Sequence, residues 1–168
     1  MCWLRLCVLP LFLAAAAVLA APAVGEQLPE IRALDVDGNE HLLRELLGPG
    51  PTLLVAITDR KAGDAMQAWF DEADRRAPRA QRVSIISVGV PFFVSDAYAR
   101  SKARDNVPEK WRSRSLFDSE KGMARALRLG SGTTPWVFVV DPAGRVLARV
   151  HGAPADPAAA RIWEALAR

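Results

Sequence analysis

The sequence predicts an α/β protein: a mixed central sheet with helices on both of its faces. Three observations carry this reading. Residues 52–58 (TLLVAIT), 83–90 (VSIISVGV) and 136–140 (WVFVV) are nearly continuous apolar runs rich in β-branched residues, the composition of strands covered on both sides. Between the first two, Met66, Trp69, Phe70, Ala73 and Ala77 recur at helical spacing while Gln67, Asp71, Glu72, Asp74, Arg75 and Arg76 take the other face, and Pro78 ends the pattern. After the third, Asp141-Pro142-Ala143-Gly144 supplies turn chemistry and the alternating residues 145–150 return the chain as a hairpin strand, which makes the sheet mixed.

The remaining elements follow in order. Residues 33–36 read as a short strand entering the turn Asp37-Gly38, and 41–48 as a brief helix stopped by Gly48 before Pro49-Gly50-Pro51 breaks the chain. Residues 91–117 are polar and irregular, an insertion over the sheet with a short helix near 97–104. Asp118 offers a cap to a helix striped by Met123, Ala124 and Leu127, with Gly130 where it stops. Asp156 and Pro157 open a last helix containing Ile162 and Leu166. The order is strand, helix, strand, helix, strand, insertion, helix, strand, strand, helix.

At 168 residues, 51% of them hydrophobic and 24% charged, the chain has material for one packed domain and is neither disordered nor low-complexity. The formal charge is only +3 and the basic residues are scattered, so no nucleic-acid partner is expected; the single basic and aromatic patch Lys110-Trp111-Arg112-Ser113-Arg114 does not change this. A basic Arg5, an apolar stretch over 6–20 and the small residues Ala21-Pro22-Ala23 read as a signal peptide, residues 1–23. The expectation is a mature domain of residues 24–168 in the periplasm or secreted, cut after Ala23 and without a transmembrane anchor. Cys2 and Cys7 are the only cysteines and both fall in the export segment, which leaves the mature chain no thiol for a disulfide or a nucleophile. Two histidines, His41 and His151, are too few for a histidine-based metal site, and no Gly-x-Ser-x-Gly elbow exists. No metal and no cofactor is expected.

Leu28-Pro29, Val36-Asp37-Gly38, the TLLVAIT strand, the run from Gly132 to Asp141 (GTTPWVFVVD) and Gly144-Arg145-Val146 resemble exported redoxins of the thioredoxin-like superfamily, of the TlpA and AhpC/TSA-like type. The resemblance covers residues 28–168. It implies the thioredoxin-like fold with a cis-proline loop, Thr134-Pro135, before the penultimate strand. In that family a Cys-x-x-Cys or a single peroxidatic cysteine stands just after the central strand, where backbone N–H groups at a helix start lower a thiol's pKa. Here the place is held by Thr58-Asp59-Arg60-Lys61-Ala62-Gly63-Asp64-Ala65, and the simplest register sets Ala62 and Ala65 at the two cysteine positions. The chain is thus similar to cysteine-less exported members such as the YtfJ type, and no catalytic residue is assigned.

What the resemblance leaves is a groove. In the family the proline loop and the adjacent surface hold extended polypeptide. The expected binding residues are therefore Asp59, Arg60 and Lys61 at the helix start, with Thr134, Pro135 and Trp136 across from them, and the expected partner is a protein or peptide of the cell envelope. Asp59 or Asp64 can equally serve as a plain helix cap, and Trp136 as packing at a strand start. The alternatives are a redoxin that works with a partner's thiols and a non-thiol enzyme that uses the loop 59–64.

Overall fold

The computed structural model describes residues 20–168; residues 1–19, with Cys2, Cys7 and nearly all of the expected signal peptide, lie outside the described residues. The apolar runs form strands, as their pattern requires. β1 (Arg32–Asp35) and β2 (Glu40–Leu42) make a hairpin, β3 (Thr52–Ile57) is followed by helix α1 (Gly63–Arg76), and β4 (Gln81–Ser87) leads to α2 (Asp96–Asp105). β5 (Ser115–Asp118), α3 (Gly122–Ala126), β6 (Trp136–Val140), β7 (Val146–His151) and α4 (Ala160–Leu166) complete the chain. The seven strands lie in the order β2-β1-β5-β4-β3-β6-β7. β3 is parallel to β4 and antiparallel to β6, so the sheet is mixed.

Side chains alternate across this sheet and split the core in two. Leu53, Val55 and Ile57 of β3 face α1 and α4, while Leu54 and Ala56 face α3 and the short 3-10 helix Leu43–Leu46. Helices on both faces are thereby observed, as expected. On α1, Met66, Trp69 and Ala73 are buried. Trp69 is fully buried, donates from Nε1 to Gly152 O at 2.9 Å and packs against Trp163 with ring centroids 5.3 Å apart. Truncation of a side chain this enclosed costs about 3–5 kcal/mol. The helix stops at Arg76 because Ala77, in front of Pro78, leaves the helical region (φ −141°, ψ 61°), which the following proline ring disfavours.

Three sequence expectations are corrected. The stretch read as a helix over 41–48 is the strand β2 followed by one 3-10 turn: Gly38, at φ +95°, closes the β1–β2 hairpin, and buried Asp35 accepts hydrogen bonds from Asp37 N, Asn39 N and His41 Nε2, each at 2.9 Å. The insertion over 91–117 ends inside the sheet, because Ser115 to Asp118 form β5 between β1 and β4. Four residues whose Leu116 and Phe117 are buried on opposite faces leave no periodic trace. Finally, the turn after α3 is made by Arg128, left-handed at φ 54°, rather than by Gly130; Leu129 N closes back to Ala124 O at 2.8 Å, and Arg128 pairs with Glu26. Asp118 still serves the start of that helix, accepting from Glu120 N and Met123 N at 2.8 Å each.

The start of the described chain is also docked. Ala21 is 4% exposed, Gln27 bridges to Arg145, and the Arg149 guanidinium donates to the carbonyls of Ala21 and Pro22. No helix of the described residues is long and apolar enough to cross a membrane.

Candidate functional site

Thr58 follows the last residue of β3 and ties two distant segments together. Its hydroxyl donates to Gly130 O at 3.1 Å and accepts from Gly132 N at 3.2 Å. Because β3 also pairs with β6 in a register that sets Ala56 opposite Trp136, the helix start and the loop before β6 form one neighbourhood. Sequence reasoning missed Thr58. Its only trace is a hydroxyl where an apolar run ends.

On the helix side, Asp59 is extended (φ −139°, ψ 140°) and its Oδ1 accepts from Lys61 N at 2.8 Å, which caps the 3-10 turn Arg60–Ala62 that runs into α1. The cap reading of Asp59 is therefore realised. Arg60 and Lys61 are exposed and, among the described residues, enter no ion pair. Ala62 is fully buried within the core beneath α1, and Ala65 is half-buried. A nucleophilic thiol has to reach solvent. In this geometry the accessible position on the helix-start N–H groups is that of Asp59, whose carboxylate already takes one of them, and not that of Ala62.

On the loop side, the described residues contain no cis peptide bond, so Thr134-Pro135 is trans and the expected cis-proline loop is corrected. Trans is the intrinsically favoured isomer, by about 0.5–1 kcal/mol. The loop is held in this form by its neighbours: His151 Nε2 contacts Thr134 O at 3.2 Å and Gly152 N donates to Pro135 O at 3.3 Å. Trp136 is not the bare groove residue the sequence suggested. Its ring stacks on His151 and its Nε1 donates to Gly130 O at 3.3 Å, so the packing reading accounts for part of its surface.

The six expected binding residues do not line one hollow. A cavity of about 830 Å³ between α1, α2 and the sheet takes Arg60, Gly63, Asp64 and Met66 into its wall, but none of Thr134, Pro135 and Trp136. Its floor holds Arg82, which is 3% exposed and pairs through Nη2 with Asp74 Oδ1 at 2.7 Å. That hydrogen bond holds the Asp74 carboxyl below its ordinary pKa. Nothing in the sequence separates Arg82 from a solvent-facing residue at a strand start. Among the described residues no group of three or more His, Asp or Glu side chains is placed to hold a metal ion.

No protein-family model matches the chain, and no curated protein does. Solved structures of the same fold do. Peroxidoxin BcpB from Mycobacterium tuberculosis superposes with a TM-score of 0.58 at 21% identity, over 87% of this chain and 95% of that one. The pneumococcal exposed lipoprotein thioredoxin Etrx1 from Streptococcus pneumoniae strain TIGR4 gives 0.57 at 15% identity, over 81% and 98%. A thiol peroxidase from Chromobacterium violaceum gives 0.54 at 19% identity, over 79% and 78%. At such identities the likeness concerns the fold, which is thioredoxin-like.

Proposed function

We propose that this chain is an exported, non-catalytic thioredoxin-fold protein that binds an extended segment of a protein partner in the cell envelope. The binding surface runs over Asp59, Arg60 and Lys61 on one side and Thr134 and Trp136 on the other, with Pro135, which is buried, shaping the loop from beneath. The observation that carries the reading is the Thr58 clamp, which holds the helix start and the proline loop in one neighbourhood while a capping carboxylate, and no sulfur, stands at the helix start. The two exposed cations supply attraction for acidic side chains of the partner. The exposed part of Trp136 supplies apolar area of the kind that dominates hot spots. Loss of the thiol removes redox chemistry and leaves this surface intact.

The reading is tested by a photo-crosslinker carried at Thr133, an exposed position beside the loop and outside the six binding residues. Thiol-dependent disulfide reduction and peroxide turnover by the same exported protein are the companion measurements, and both are expected at background.

A further inference from the structure

The cavity beneath α2 has features that peptide binding does not use. Its floor is the sheet face formed by alternate residues of β4 and β5: Ile86 and Phe117 at the apolar end, and Arg82, Ser84 and Ser115 at the polar end. Ser84 Oγ donates to Ser115 Oγ at 2.7 Å, and Ser115 Oγ donates to Trp111 O at 2.9 Å, so these hydroxyls are settled among themselves. Arg82 is not. Its Nη1 reaches Phe70 O at 3.3 Å and its Nη2 reaches Asp74, yet Nε has no acceptor, the one such buried side-chain nitrogen or oxygen found among the described residues. An enclosed guanidinium N–H without an acceptor costs about 1–3 kcal/mol.

The opposite end of the cavity is aromatic and open. Phe93 and Tyr98 are in its wall although they are 76% and 58% exposed, a poor arrangement for large side chains that only pack. The wall as a whole carries five basic residues against two acidic ones, Asp64 and Asp74. The volume, about 830 Å³, is within the ~300–1,000 Å³ usual for small-molecule sites.

We infer that this cavity is a binding site for a single-tailed amphipathic carboxylate, whose tail lies over Ile86 and Phe117 toward Phe93 and whose head group draws the Arg82 guanidinium out from beside Trp111, turning Nε, now closed to solvent, toward an acceptor. The inference shares Arg60 at its rim with the peptide-binding reading, but it rests on Arg82 and the floor of the sheet and not on the surface around Thr58. The charge excess sets the sign of the head group, and the apolar lining of Ile86, Phe117 and Phe93 sets the class of the tail. Asp74 stays paired with Nη2, so the incoming carboxylate meets a guanidinium that still offers a donor.

Dodecanoate, dodecylamine and dodecanol are the probes, titrated calorimetrically into the folded chain below their micelle concentrations. Saturable one-to-one binding of dodecanoate is expected, with dodecylamine and dodecanol each at least about tenfold weaker, as a charge-assisted hydrogen bond requires. Arg82→Met is expected to abolish that preference while dodecanol binding is unchanged. Ala103→Trp, which fills the wall from α2 and leaves Arg82 in place, is expected to abolish binding of all three, and circular dichroism checks that both variants fold. Equal binding of dodecylamine and dodecanoate, absence of saturable binding by the native chain, or undiminished dodecanoate binding in Ala103→Trp would each overturn the assignment.

Discussion

The indole of Trp136 lies face to face on the imidazole of His151, with ring centroids 4.1 Å apart and planes 3° from parallel. The pair joins the first residue of β6 to the last of β7, and both residues also bond into the 130–134 loop. An aromatic pair of this kind contributes about 0.5–1.5 kcal/mol beyond its buried area. His151→Ala is therefore expected to lower unfolding stability by about 1 kcal/mol and to raise acrylamide quenching of tryptophan fluorescence. Unchanged values for both contradict a role for the stack in holding the loop.

Asp35 has no exposed surface, and burial acts to raise its pKa; hydrogen bonds from Asn39 N, His41, the Asn39 amide and Asp37 N outweigh that and hold it below the ordinary carboxylate value. A carboxyl lowered in this way contributes stability that is complete above the unfolded-state value of about 4 and is lost as pH falls through the folded-state pKa. Asp35→Asn is expected to cost about 2 kcal/mol at pH 7, the scale of hydrogen bonds to a charged group, with the difference from the native chain shrinking below pH 4. Chemical denaturation across that range measures it. A deficit that persists unchanged into acid contradicts the assignment.

The two positions for restoring a thiol, Ala62 and Asp59, behave differently in this fold. Ala62 is enclosed in the core, so Ala62→Cys is expected to resist thiol reagents in the native state and react only on unfolding, because burial suppresses the thiolate. Asp59→Cys is expected to react in the folded chain with a lowered apparent pKa, since it inherits the Lys61 N–H. Thiol titration against pH with each variant decides, and rapid native labelling of Ala62→Cys argues for a different helix start.

On the proposed export, processing is expected to leave Ala21 at the N-terminus. The sequence alone favoured a cut after Ala23, yet Ala21 is nearly buried and the carbonyls of Ala21 and Pro22 receive the Arg149 guanidinium. A cut after Ala20 keeps these contacts, and a cut after Ala23 discards them. Intact mass of the exported protein distinguishes the two.

Much of this molecule was legible in its sequence where a pattern had length. The strands over 52–58 and 136–140, and the helix carrying Met66, Trp69 and Ala73, announce themselves because burial on two faces or one stripe constrains many consecutive residues. β5 and the 3-10 turn at 43–46 are too short for any period, and the left-handed turn falls on Arg128, a residue type that carries no turn signal, instead of on a nearby glycine. At the site, the neighbourhood of helix start and proline loop follows from strand order. The Thr58 clamp, the His151 stack and the surroundings of the unpaired Arg82 nitrogen depend on side-chain contacts between separate elements, from Arg82 with Asp74 to Thr58 with Gly132, which no local pattern encodes.

The central claim is that a partner polypeptide lies across the helix start and the proline loop, and a photo-crosslinker at Thr133 in the exported protein tests it most directly. The account predicts a discrete covalent adduct whose joined peptide, identified by mass spectrometry, is an extended acidic segment, and whose yield falls in both Trp136→Ala and the double variant Arg60→Ala, Lys61→Ala. No adduct from folded, exported protein, or an adduct whose yield is indifferent to all three residues, would contradict it.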